Sequence, residues 1–144
     1  MKLKNGFIPE LAKFLSEEKL AGKKSRMRTK FVKMLNESLQ EFETFRMELI
    51  TKHAKKDKKG EPLTDGNSYQ IEDQELFNKE FAELLVEEFI VDETESKREI
   101  LEHVKTILDN TEKEFQGQEA FQYDQWCEAF ENLKYDDKSK SPKL

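Results

Sequence analysis

Between Met27 and Ile50 the apolar residues recur every three or four positions. Met27, Phe31, Met34, Leu35, Leu39, Phe42, Phe45, Leu49 and Ile50, with Val32 beside them, form one stripe. That is the period of a helix with a single buried face. Lys30, Lys33, Glu37, Gln40, Glu41, Glu43 and Glu48 occupy much of the remainder. The pattern predicts one amphipathic helix running from Ser25, a good N-cap residue, to about Lys55, with no Gly or Pro before Gly60. Some 30 residues at 1.5 Å each make a rod on the order of 45 Å. A rod of that length needs a partner over most of its extent, from its own chain or from another.

Shorter elements flank it. Pro9 suits the first turn of a helix that carries Leu11, Phe14, Leu15 and Leu20 and ends near Gly22. Beyond Gly60, the turn formers Asp65, Gly66 and Asn67 separate two short runs and predict a β-hairpin over residues 61–71. The expected register has a three-residue loop, with Thr64 opposite Ser68, Leu63 opposite Tyr69 and Glu61 opposite Ile71. A two-residue Asp-Gly turn is the alternative, and it sets Leu63 opposite Ser68. Asp73 is a suitable N-cap for a helix from Gln74 to Glu87, with Leu76, Phe77, Phe81, Leu84 and Leu85 inward. Phe89-Ile90-Val91 reads as a third strand beside the hairpin. Thr94 opens a helix from Glu95 to about Phe115, and Gly117 breaks it. A last helix, Glu119 to Lys134, carries Phe121, Tyr123, Trp126, Cys127, Phe130 and Leu133.

The expected fold class is mainly α: a long amphipathic helix packed with three or four others, plus a small β-hairpin. Residues 1–137 read as one elongated helical domain and 138–144 as a flexible tail. Composition agrees, since 35% apolar and 39% charged residues suit a thin structure with much surface, while eleven Phe exclude a disordered chain. The opening MKLKNGFIPE has no apolar core of a signal peptide, and no run is long enough to span a membrane. A cytoplasmic location is the default expectation. The single cysteine, Cys127, excludes an internal disulfide and a multi-cysteine zinc site.

Charge divides along the chain. Residues 1–59 hold 16 Lys/Arg against 8 Asp/Glu, and residues 60–137 hold 6 against 23. A split this large points to two attracting surfaces, within one molecule, across a dimer, or toward outside partners. The densest basic stretch holds Lys23, Lys24, Arg26, Arg28, Lys30 and Lys33. It could grip phosphate or an acidic partner. The plainer reading is a solvated helix start covered by the chain's own acidic half. Cations at a helix N-terminus oppose the macrodipole, so their placement calls for a reason. The densest acidic group is Glu87, Glu88, Asp92, Glu93 and Glu95. It could chelate a hard cation, but a repelling, solvated sheet edge is the expected reading.

The stretch Leu49 to Val91 carries Lys56-Asp57-Lys58-Lys59-Gly60-Glu61-Pro62, Asp65-Gly66-Asn67, Tyr69 and Phe77-Asn78-Lys79-Glu80. With the opening Met1-Lys2-Leu3-Lys4-Asn5-Gly6, it resembles a family of small uncharacterised bacteriophage and prophage proteins of Gram-positive bacteria, a domain of unknown function. The resemblance covers somewhat more than half of the chain and its motifs are structural. It implies a phage-encoded product in the cytoplasm of the bacterial host, and it carries over no catalytic residue.

Candidate chemistry is sparse. His53 and His103 each follow an isoleucine by three residues, so neither completes the Glu-x-x-His pattern of di-iron bundles. His103 is expected to be solvated. Asp65 does not open a calcium loop, because Leu76 stands where the bidentate Glu is needed. Cys127 lies among aromatic residues with no base in sequence reach, and reads as a buried structural thiol. No Gly-rich phosphate loop or nucleophile elbow occurs. No catalytic, cofactor or metal residue is therefore expected. The candidate partner-binding residues are Lys23, Lys24, Arg26, Arg28, Lys30, Glu87, Glu88, Asp92 and Glu93. The first functional expectation is a non-enzymatic protein-interaction factor in assembly or host takeover, with a protein partner (itself as a homodimer, or a phage or host protein). The alternative is an acidic inhibitor of a host nucleic-acid enzyme or defence nuclease, anti-CRISPR-like or a DNA mimic. A direct nucleic-acid binder ranks third, because the acidic excess repels a polyanion, and an enzyme last.

Overall fold

A computed structural model describes residues 1–133. Strand β1 is Lys2–Lys4, followed by one 3-10 turn at Asn5–Phe7, helix α1 at Ile8–Glu17 and helix α2 at Gly22–His53. Strands β2 (Thr64–Asp65) and β3 (Ser68–Tyr69) lead to α3 (Gln74–Val86), β4 (Glu88–Ile90), α4 (Glu95–Asp109) and α5 (Gln118–Glu131). The fold is mainly helical with a minor antiparallel β component. The expected tail, residues 138–144, lies outside the described residues.

Helix α2 spans 32 residues, about 48 Å at 1.5 Å per residue. It begins three residues before the expected Ser25 cap. Arg28 explains the difference: Ser25 Oγ accepts from Arg28 Nη2 at 3.2 Å, and is thereby used as a bracket for the guanidinium and makes no cap bond. Helix α2 serves two packing sites. Met27, Phe31 and Leu35 enter the main core with α1, α4 and α5, and the α2 residues of that core end with the half-buried Leu39. Phe31 lies fully buried, edge-on to Phe130 at 5.8 Å and to Phe89 at 6.2 Å. Phe14 and Trp126 meet at 5.5 Å, and the Trp126 indole N–H donates to the Phe7 carbonyl at 2.9 Å.

The second half of α2 packs instead on α3. Phe42 meets Phe81 edge-on at 6.0 Å, Phe81 stacks on Phe77, and Phe77 meets the His53 ring. Ile50, Ala54 and Leu84 are buried there, outside the main core. The two halves of one helix thus belong to a four-helix body and to a two-helix arm. Asp73 caps α3 as expected, accepting from the Leu76 N–H at 3.1 Å.

The hairpin is present but its register differs from expectation. Thr64 pairs with Tyr69 and Asp65 with Ser68, so the loop is Gly66-Asn67, with Gly66 at φ +65°. A glycine at the first central position of a two-residue loop is the type II′ pattern, whose twist suits antiparallel strands. Tyr69 becomes exposed in consequence. The third stretch beside this hairpin is not residues 89–91. It is the chain just after α2, where Ala54 bridges Ile71 and Lys56 bridges Pro62. Lys55 N–H donates to Gln70 O at 2.8 Å and Leu63 N–H to Lys55 O at 2.7 Å. Those bonds end α2 at His53, short of Lys55.

Strand β4 pairs with β1, Leu3 opposite Phe89. The Met1 ammonium, buried, donates to Val91 O at 3.1 Å and to the Glu93 carboxylate at 3.0 Å. Helix α4 stops at Asp109, six residues before the expected Phe115. Phe115 stacks flat on Tyr123 with ring centroids 4.3 Å apart, a contact it makes from the non-helical segment after α4. Gly117, at φ +58°, then starts α5.

Candidate interaction surfaces

The arm exposes a groove of about 420 Å³ between α2 and α3. Residues 45, 48, 49 and 52 of α2 recur at helical spacing on one wall, and 80, 83, 84 and 87 on or just past α3 form the other. The floor is apolar: Leu84 is buried, Leu49 half-buried, and Phe45 remains 40% exposed. Leu76, one turn before Glu80 on the same side of α3, is 41% exposed. The rim is acidic. Lys52 Nζ is committed to Glu80 Oε1 at 3.1 Å, whereas Glu48, Glu83 and Glu87 have no ion-pair partner among the described residues.

Glu80 ties the arm together. Its second oxygen lies 2.6 Å from Nε2 of the buried His53. A carboxylate only accepts, so Nε2 carries the hydrogen of that bond. The contact with His53, and then with Lys52, holds the Glu80 carboxyl below the usual carboxylate range. His53 is therefore a structural histidine that joins the end of α2 to α3.

The basic segment turns partly inward. Lys23 forms an ion pair with Glu99 of α4, and this contact, foremost, lowers the Glu99 carboxyl. Arg28 Nη1 donates to the carbonyls of Leu15 and Glu18, 2.7 Å each. Both carbonyls lie at the C-terminal end of α1, where Leu15 O also accepts the Glu18 N–H at 3.3 Å, and a cation there is favoured by the dipole of α1. The cost of Arg28 in the first turns of one helix is thus offset at the end of another. Lys24 lines a cleft of about 590 Å³ with Glu18, Glu102 and half-buried His103. His103 Nδ1 bonds its own helix at Glu99 O, 2.8 Å away. Arg26 and Lys30 are exposed.

The acidic group does not form one site. Glu87 joins the arm groove. Glu88, Asp92 and Glu93 line a separate cleft of about 610 Å³ beside β1, where Lys2, Lys4 and Glu128 also stand. Lys4 pairs across the ladder with Glu88, and Glu93 holds the Met1 ammonium. Among the described residues no group of three or more His, Cys, Asp or Glu side chains is placed to hold a metal ion, and no helix is long and apolar enough to cross a membrane.

No protein-family model, curated protein or solved structure matches this chain. Cys127 is half-buried, and burial pushes its thiol above the ordinary range. Burial also pushes the Tyr123 phenol up to about 12, and its O–H donates to the Leu108 carbonyl. Both groups are poor nucleophiles at neutral pH. Of the groove residues, only Glu87 was a candidate from sequence. Phe45, Leu49 and Leu84 fit the apolar stripes too well to be told from core. The available signal was the acidic side of α3, Glu80, Glu83 and Glu87 at three- and four-residue spacing beside Leu76 and Leu84.

Proposed function

We propose that this chain is a non-enzymatic, phage-encoded protein-interaction factor, active in the host cytoplasm in assembly or host takeover. The observation that carries the reading is the one-sided arm: the second half of α2 has α3 on one flank, and beside it an open groove with a partly exposed Phe45. Large aromatic groups in apolar recesses are typical anchors for a protein partner. That partner is a phage protein, a host protein or a second copy of this chain. The phage origin is part of this proposal and rests only on the expected resemblance carried by the motifs of residues 49–91.

Affinity capture from infected-cell lysate, read by mass spectrometry, tests it with wild type and a Phe45→Asp variant of unchanged circular dichroism. The expected result is a captured protein that the variant loses. Equal capture by both, or none by either, defeats the proposal. A second reading, inhibition of a host nucleic-acid enzyme by phosphate mimicry, is favoured by the cleft holding Glu88, Asp92, Glu93 and Glu128. Capture of a nuclease whose activity falls in proportion to added protein would select it, provided Asp92→Lys abolishes the effect.

A further inference from the structure

We infer that the arm groove docks a cationic amphipathic helix, one that presents apolar anchors to Phe45, Leu49 and Leu84 and lysine or arginine to Glu48, Glu83 and Glu87. The inference rests on the interaction reading above and names the chemistry of the partner. From residue 45 to residue 52 is seven positions on α2, about 10 Å. That length receives two anchors spaced two turns apart on a bound helix, as in helix-in-groove recognition. The rim chooses the sign of the flanking charge. Three carboxylates stand around an apolar floor with no cation partner among the described residues, and the one lysine on the wall is already held by Glu80. Carboxylates that line one groove repel one another, and an incoming cation relieves that repulsion while its apolar face covers Phe45. The basic segment of this chain is a poor occupant, because its apolar residues Met27 and Phe31 are buried in the main core.

The probe is a fluorescein-labelled helical peptide of leucine and lysine, with leucine confined to one face. Its controls are a scrambled peptide of the same composition and a leucine–glutamate counterpart. Fluorescence anisotropy on the full chain should show binding of the amphipathic lysine peptide at least about tenfold tighter than the scrambled one. Because Phe45 also packs within the arm, Glu83→Lys with Glu87→Lys serves as an independent variant on exposed side chains. It should weaken the lysine peptide about tenfold at low salt, less at high salt, and bring the glutamate peptide into binding. Equal binding of scrambled and amphipathic peptides would overturn the inference, as would indifference to the double reversal. A wild-type dimer in sedimentation that Phe45→Asp separates would also overturn it, by assigning the groove to a second copy. So would a tenfold tightening on deletion of residues 138–144, by assigning it to the chain's own tail. If the peptide fails while lysate capture still depends on Phe45, the interaction reading stands and the cationic helix falls.

Discussion

Replacing Arg28 by methionine separates two kinds of electrostatics in the basic segment. The substitution keeps most of the aliphatic stem and removes the guanidinium, which donates to Leu15 O and Glu18 O at 2.7 Å each. Hydrogen bonds from a charged donor contribute about 1.5–3 kcal/mol. The carbonyls lie at the open end of α1, where water can replace part of what is lost, so the pair together should cost about 2–3 kcal/mol. For a chain of 144 residues the unfolding entropy is about 0.3 kcal/mol per degree, and the midpoint should fall by about 7–10 °C. Arg28 works on backbone dipoles at contact distance. Salt therefore changes little, even as the Debye length falls from about 30 Å at ~0.01 M to about 3 Å at ~1 M. The exposed Lys23–Glu99 pair is the contrast: Lys23→Met should give a smaller loss, and high salt should remove it. The measurement is thermal unfolding followed by far-UV circular dichroism for wild type and both variants at the two salt levels. A loss for Arg28→Met that disappears at ~1 M salt would falsify the capping role, and would leave it a solvated cation like Lys30.

Phe31→Ala should cost about 3–5 kcal/mol, because Phe31 is fully buried against Phe89 and Phe130; urea unfolding measures it, and a loss no larger than that of Phe45→Ala would contradict the division between body and arm. Glu80→Gln should flatten the acid limb of the stability curve. The Glu80 carboxyl is held below its unfolded value by His53 and Lys52, so its contribution is present above the ordinary carboxylate value and disappears as pH falls through the lowered one; unchanged acid unfolding of the variant would refute this. Tyr123→Phe should remove a phenolate absorbance step near pH 12. With the phenol raised from 10.0 to about 12, wild-type stability should decline as pH climbs through that interval, because the unfolded chain releases the proton first.

Much of the helical layout was legible because its signals are local. Asp73 before a stripe of Leu76, Phe77, Phe81 and Leu84 specifies both the start and the buried side of α3. Two of the misreadings share a cause: the deciding partner lies outside the element that was read. Leu108 and Phe115 are seven apart, two helical turns, so their spacing fits a helix that in fact ends at Asp109. Phe115 is placed instead by the Tyr123 ring. The Phe89 strand reads equally well beside either of two neighbours, and only its pairing with Leu3 decides between them. The hairpin register turned on which residue of Asp65-Gly66-Asn67 opens the loop, and the pairing of Asp65 with Ser68 decides that. For the candidate surfaces the limit was different. A helix stripe announces that a face avoids water, but not how much of its length another helix covers. The alternation of Phe42, Phe45 and Leu49 is as regular as that of Phe31 and Leu35, yet Phe45 is 40% exposed while Phe31 is covered completely.

The antiparallel ladder of β1 and β4 bears on how the chain is made. Leu3 and its partner Phe89 are separated by 86 positions. At a ribosomal rate of roughly 5–20 residues per second, the first strand waits roughly 4–17 s before its partner is synthesised. Helices α1 and α2 follow one another directly and can pack much earlier, with Arg28 already able to reach the end of α1. Throughout that wait Leu3, Phe7 and Ile8 lack both β4 and Trp126, whose indole bonds the Phe7 carbonyl across 119 positions. Residues 3–8 are thus made long before the elements that cover them, and their burial is set by the end of synthesis and not by its local order.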